Sequence, residues 1–128
     1  MAAFSNYLEN ALINGTLRAT NYTAPATVYV GLFTSDPTDA GSGTEVSGNA
    51  YARQSATFAS PSNGAASTNA DVQFPQATGN WGTVTHFGIF DALTTGNLMY
   101  HGALTTSKTI ETGDVFKIAS GSLTVTLA

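Results

Sequence analysis

Two histidines, His86 and His101, are the side chains best suited to chemistry in this chain. Each falls in one of two consecutive β-rich stretches, so a hairpin would make them neighbours. With Asp91 they would form a His₂–carboxylate set of the kind that holds zinc. No H-E-x-x-H or comparable spacing accompanies them, and a half-buried strand histidine using one ring nitrogen to donate and the other to accept accounts for each. Three acids, Asp36, Asp39 and Glu45, share one loop. A carboxylate pair cleaves glycosidic bonds only when held at a fixed separation, which acids on one irregular loop are poorly placed to keep. Their spacing also misses the calcium-loop pattern D-x-[DN]-x-[DN]-G. Serines abound, but there is no G-x-S-x-G elbow, and Gly41-Ser42-Gly43 lacks the third glycine and the lysine of a phosphate cradle. Trp81 could join Phe87, Phe90 and Tyr100 in a sugar-stacking platform. Strand aromatics more often fill a core, which leaves Trp81, in a loop, as the aromatic contact candidate. The residues therefore predict no catalytic centre, no metal and no cofactor.

The elements that must position these side chains are mostly strands. The exception is the N-terminal segment, where Asn6 is placed to cap and Glu9 follows three residues on. Phe4, Leu8, Ala11 and Leu12 share one face, and Asn14-Gly15 is a natural stop. This predicts a helix of about ten residues, short enough to need tertiary packing, on its own sheet or on a neighbouring subunit. Residues 27–33 (TVYVGLF) then read as a strand apolar on both faces. A loop rich in glycine and acids runs from Asp36 to Asn49, long enough to suggest function or ordering by a partner. Further strands are expected over 51–58, 71–74, 83–90, 97–104 and 123–127, with 108–117 ambiguous. The pair 83–90 and 97–104, joined through residues 93–97, is the clearest hairpin. In the last strand Leu123, Val125 and Leu127 alternate with Ser122, Thr124 and Thr126. About seven short strands with turns between them predict an all-β fold, a β-sandwich of jelly-roll-like or immunoglobulin-like type with one short N-terminal helix. The expected organisation is one domain over 1–128, with residues 1–20 as a helical arm.

Composition narrows the functional classes. Charged residues make up 9% of the 128, against about 25% in ordinary domains. The cations are Arg18, Arg53, Lys108 and Lys117, and the net charge is −4. Four scattered cations form no stripe for neutralising phosphates, so neither nucleic acid nor an anionic membrane is an expected partner. Charge is depleted where protein interfaces are buried, so a weakly charged polar surface suits a protein touching several neighbours. Cysteine is absent, and no disulfide or thiolate site is available. No secretory signal is apparent at the N-terminus, and no run approaches the about 18 apolar residues of a membrane span.

Three blocks then carry a resemblance. They are residues 28–39 (VYVGLFTSDPTD), with 43–48 (GTEVSG) and 51–54 (YARQ); residues 81–89 (WGTVTHFGI), with 100–104 (YHGAL); and residues 118–123 (IASGSL). Together they resemble a family of small tailed-phage virion proteins, often labelled tail-fibre proteins, and in size and class they are similar to cement or decoration proteins of phage heads. The resemblance implies a structural protein of the phage particle. The chain has no repeat and no stalk-like period. The expectation is therefore a capsid cement or decoration protein that contacts the major capsid protein and copies of itself as a homo-oligomer. The alternative is a tail or tail-fibre component, an adaptor or receptor-binding module. The expected contacts are Phe4, Tyr7 and Leu8 of the arm, Asp36, Asp39 and Glu45 of the loop, and Trp81.

Overall fold

The computed structural model describes residues 2–127. Its centre is an antiparallel five-stranded sheet built from β1 (Ala3–Phe4), β2 (Val28–Phe33), β3 (Gln54–Ala56), β6 (Gly82–Phe90) and β7 (Leu98–Ile110), in the order β1-β7-β6-β2-β3. Two short antiparallel ribbons supply the opposing layer. One pairs β4 (Ala65–Ser67) with β9 (Thr124–Thr126), and the other pairs β5 (Val72–Gln73) with β8 (Lys117–Ile118). The fold is thus an all-β sandwich with one N-terminal helix, α1 (Asn6–Leu17).

The predicted apolar run of β2 is buried from Val30 to Phe33, covered on both faces as its pattern requires. The inner face of the sheet presents Val30, Leu32, Phe87 and Ile89 to Val72, Phe74, Phe116, Leu123 and Val125, forming the main core. Phe33, Phe90 and Leu98 form a separate cluster. The expected hairpin is β6 with β7, in which Phe87 lies opposite Gly102 and Gly88 opposite His101. Its ladder breaks between Val84 and His86, where Thr85 alone faces residues 104–107 of β7. That break reverses the inward parity of β6, which is why Val84 and Phe87 share the main core.

Local details depart from expectation in instructive ways. The helix cap is Ser5, one residue before Asn6: its Oγ accepts from the Leu8 N–H at 3.2 Å and donates to the Leu98 carbonyl of β7. A hydroxyl tied to the sheet on one side and the helix on the other fixes the start of α1 more firmly than a free asparagine can. The helix also passes through Asn14-Gly15. It ends where Ala19 takes a left-handed φ of 55° and the Asn14 carbonyl accepts from both Arg18 and Thr20. Leu8, 2% exposed, packs into the main core, so α1 lies on its own sheet. The strand expected over 51–58 shortens to β3, while β1 and β4 form without apolar alternation to announce them.

Candidate functional site

The long loop after β2 folds back across the outer face of the sheet. Gly31 and Gly88 are opposite one another there, and their missing side chains leave a trough. A Cβ on Gly31 would sit 2.8 Å from Glu45 Oε2 and 3.0 Å from the Phe90 ring; one on Gly88 would sit 2.7 Å from Leu98 and 2.9 Å from Phe33. The rings of Phe33 and Phe90 fill the trough, stacked at 6.0 Å between centroids.

Over these rings lies an ionic cluster. Arg53 grips Glu45 through both carboxylate oxygens, with Nε to Oε2 and Nη2 to Oε1 each at 2.9 Å. Its Nη1 donates to the Ala92 and Thr95 carbonyls, at 3.0 and 2.8 Å, and its guanidinium carbon lies 3.5 Å from the Phe90 centroid. The Tyr51 hydroxyl donates to Glu45 Oε2 at 2.6 Å and accepts the Leu32 N–H at 2.9 Å. That N–H belongs to β2 beyond the last residue that β3 pairs, so the tyrosine supplies the acceptor a longer strand would have supplied. Burial, then the Glu45 carboxylate beside it, push the Tyr51 hydroxyl well above the usual tyrosine range. The Tyr51 ring stacks on Phe74 and meets Trp81 edge-on at 5.4 Å, so this one side chain joins the two faces of the sheet. The guanidinium and carboxylate satisfy one another and the backbone. The cluster serves to hold the loop and the β6–β7 turn in fixed relation.

A second clasp holds the other end of the loop. His101, buried in β7, donates from Nε2 to Asp39 Oδ1 at 2.8 Å, and Asp36 Oδ1 stands 3.9 Å from Nδ1. The Asp39 carbonyl accepts the Asn6 N–H at 2.9 Å, tying the loop to the first turn of α1. His86 instead bonds the Thr85 hydroxyl through Nδ1, and Asp91 accepts from both the backbone and the side-chain amide of Asn97 in the hairpin turn. The two histidines are thus diagonal neighbours on β6 and β7, but they and Asp91 are committed to three separate bonds. Among the described residues no cluster of three His, Asp or Glu suited to a metal is present.

The result is one continuous surface made of the start of α1, the loop after β2 and the turn between β6 and β7. The two segments expected as contacts, the arm and the acidic loop, are brought side by side. Asn6, Tyr7, Asp39, Gly41 and Asn97 line one depression, and Ser47, Gly48, Leu93 and Thr94 line another. Tyr7, Asp36 and Asp39 are exposed on it and Phe4 is half-buried, edge-on to Tyr100. Three expected contacts are used within the chain. Leu8 is core; Glu45 is held by Arg53 and Tyr51. Trp81, expected as a contact from its loop, is 6% exposed and donates from Nε1 to the Asn49 carbonyl at 2.9 Å, anchoring the far end of the loop after β2. Tyr51, Arg53 and Leu93 belong to the site without being among the expected contacts. Tyr51 and Arg53 carried a signal: two residues apart in an extended stretch, they fall on one face, and Arg53 is one of only four cations.

The chain is thus an antiparallel sandwich whose polar clusters hold loops in place on a weakly charged surface. The particular lineage follows from sequence: the chain belongs to the family described as podophage GP4 fiber I protein gp80, whose profile it matches over residues 3–126. It is a structural protein of the phage virion, located in the phage particle. No curated protein matches it significantly.

Proposed function

We propose that this chain is a tail-fibre component of the virion, a compact module that presents the loop surface to a neighbouring protein or a receptor, in preference to a cement protein spread over the head. The family match over almost the whole chain carries this reading, because the family is described by a fibre protein. The site geometry supports it: Arg53 and His101 hold loop and turn in one shape before any partner arrives, and preorganisation lowers the entropic cost of binding. The role is structural rather than catalytic, because the charged groups of the site are turned on one another. Quantitative mass spectrometry of purified virions tests the assignment. A few copies to a few tens per particle, with antibody label at the tail, is the expected result. A ratio near one per major shell subunit, with label over the head, would return the protein to decoration.

A further inference from the structure

In the depression shared by the start of α1, the loop after β2 and the β6–β7 turn, three polar residues are each fixed by a bond within the chain and each keep a group without a partner among the described residues. Asp39 gives Oδ1 to His101 Nε2 at 2.8 Å, and its Oδ2 is left over. Asn97 donates from Nδ2 to Asp91 Oδ2 at 3.0 Å. A carboxylate only accepts, so the orientation of this amide is settled and its Oδ1 is the group left over. Asn6 is held by its backbone N–H on the Asp39 carbonyl at 2.9 Å, which leaves its side-chain amide unengaged. Tyr7, 40% exposed, lines the depression with them, and Phe90 and Leu98, both buried, complete its apolar part. The volume is about 420 Å³, inside the range of about 300–1,000 Å³ for small-molecule clefts, where an apolar lining carries a few placed polar groups.

The balance of these groups defines a ligand. Asp39 Oδ2 and Asn97 Oδ1 accept only, while the Asn6 amide and the Tyr7 hydroxyl both donate and accept. Asp39 is the one charged residue in the lining, and Arg53, over the Phe90 ring, is already paired with Glu45. An anion would meet a carboxylate with no free cation to offset it. An aliphatic ligand would cover the acceptors without pairing them. The tyrosine ring adds a negatively polarised face that attracts C–H groups. A hexose, with hydroxyls around its edge and C–H bonds on its face, meets each of these demands. We infer that this depression is a saccharide site for a neutral or amino-bearing sugar, with Asp39 Oδ2 and Asn97 Oδ1 accepting from its hydroxyl or ammonium groups and Tyr7 packing on its C–H face. The inference rests on the reading of this surface as the one presented to a receptor. His101 and Asp91 fix the two acceptors before a ligand arrives, so little ordering is left to oppose binding.

The test is an amide-resolved NMR titration of the full-length protein with methyl glycosides in the galacto, gluco and manno series. Each series supplies the neutral sugar, its 2-amino form and its uronate, taken to about 50 mM because a single sugar ring is expected to bind in the millimolar range. In at least one series the amides of residues 6–7, 39–41 and 96–97 should shift and saturate, with the amino sugar tightest and the uronate weakest. Tyr7→Ala should weaken binding about tenfold at an unchanged melting temperature. Asp39→Asn keeps an oxygen for His101 and should erase the preference for the amine over the uronate. Absence of shifts at these amides with every sugar overturns the inference, as does a uronate that binds as tightly as its amine or a folded Tyr7→Ala variant that binds as well as the wild type. The position of the protein in the virion is read separately. A tail-located chain that binds no sugar loses the saccharide site and leaves the depression to a protein neighbour, whereas a shell-located chain that binds sugar keeps the site and loses the fibre assignment.

Discussion

The two faces of the central sheet are covered by different means. On the inner face, Val30, Leu32, Phe87 and Ile89 meet the rings and branched side chains of the second layer, and burial of apolar area does the work. On the outer face the strands offer Gly31, Gly88 and His101, and the cover is a loop held by an ion pair, a tyrosine hydroxyl and a histidine–aspartate bond. Apolar packing is non-directional and tolerates modest adjustment. The outer arrangement is directional, so each group fixes the position of another. A sheet can therefore use one face for stability and the other for shape, and the face chosen for shape carries the loop after β2 and the β6–β7 turn.

Substitutions should separate the two. The largest effect belongs to the inner face: Phe74→Ala, at a ring 1% exposed, should cost about 3–5 kcal/mol in denaturant unfolding, the range for phenylalanine truncations. Next is Glu45→Ala, which strands the Arg53 guanidinium. About 2–3 kcal/mol is expected, below the ~3–5 of a fully buried pair because the glutamate side chain is 24% exposed. Amide exchange should rise selectively across residues 44–53 and 91–97; a uniform rise would mean that the outer cover is no separate unit. Gly88→Ala drives a methyl group into Leu98 and Phe33 and should cost about 1–3 kcal/mol by overpacking. A calorimetric scan showing no loss there would sink the account of the glycine trough.

The smallest effect sharpens the link between the faces. The Tyr51 hydroxyl is raised in the folded protein, so the folded state holds its proton where the unfolded chain releases it. Its stabilising contribution is complete below the ordinary tyrosine value of about 10 and is lost as pH rises above that value. Stability should decline above pH ~10 with a slope of up to about 1.4 kcal/mol per pH unit from this group. Tyr51→Phe should remove that part of the slope, and an unchanged alkaline limb in this variant would show that the hydroxyl is not protected as the geometry requires.

Much of the fold was legible in residue order because its signals are local. β2, β6 and the β6–β7 hairpin are written in runs of β-branched and aromatic residues broken by turn formers. The last strand is written in strict alternation. The single helix is legible as well, although local sequence points to Asn6 as its cap and the structure uses Ser5. Asn6 and Ser5 are both good caps, and only the Leu98 carbonyl on a strand more than ninety residues away favours the serine.

The sequence by itself determined an all-β chain with a short helix, a sparse charge content that points toward interfaces, and a family resemblance to virion proteins. Tertiary structure decided what each chemically able side chain does. Asp36 and Asp39 share a loop with Glu45, yet two of the three face His101 and the third faces Arg53, because the loop crosses two different parts of one sheet. Trp81 stands in a loop and is nevertheless buried, because residue 49 folds over it to accept its N–H. Periodicity reports which residues share a face of one element. Which element that face meets depends on chain crossings between distant residues, and neither composition nor spacing records them.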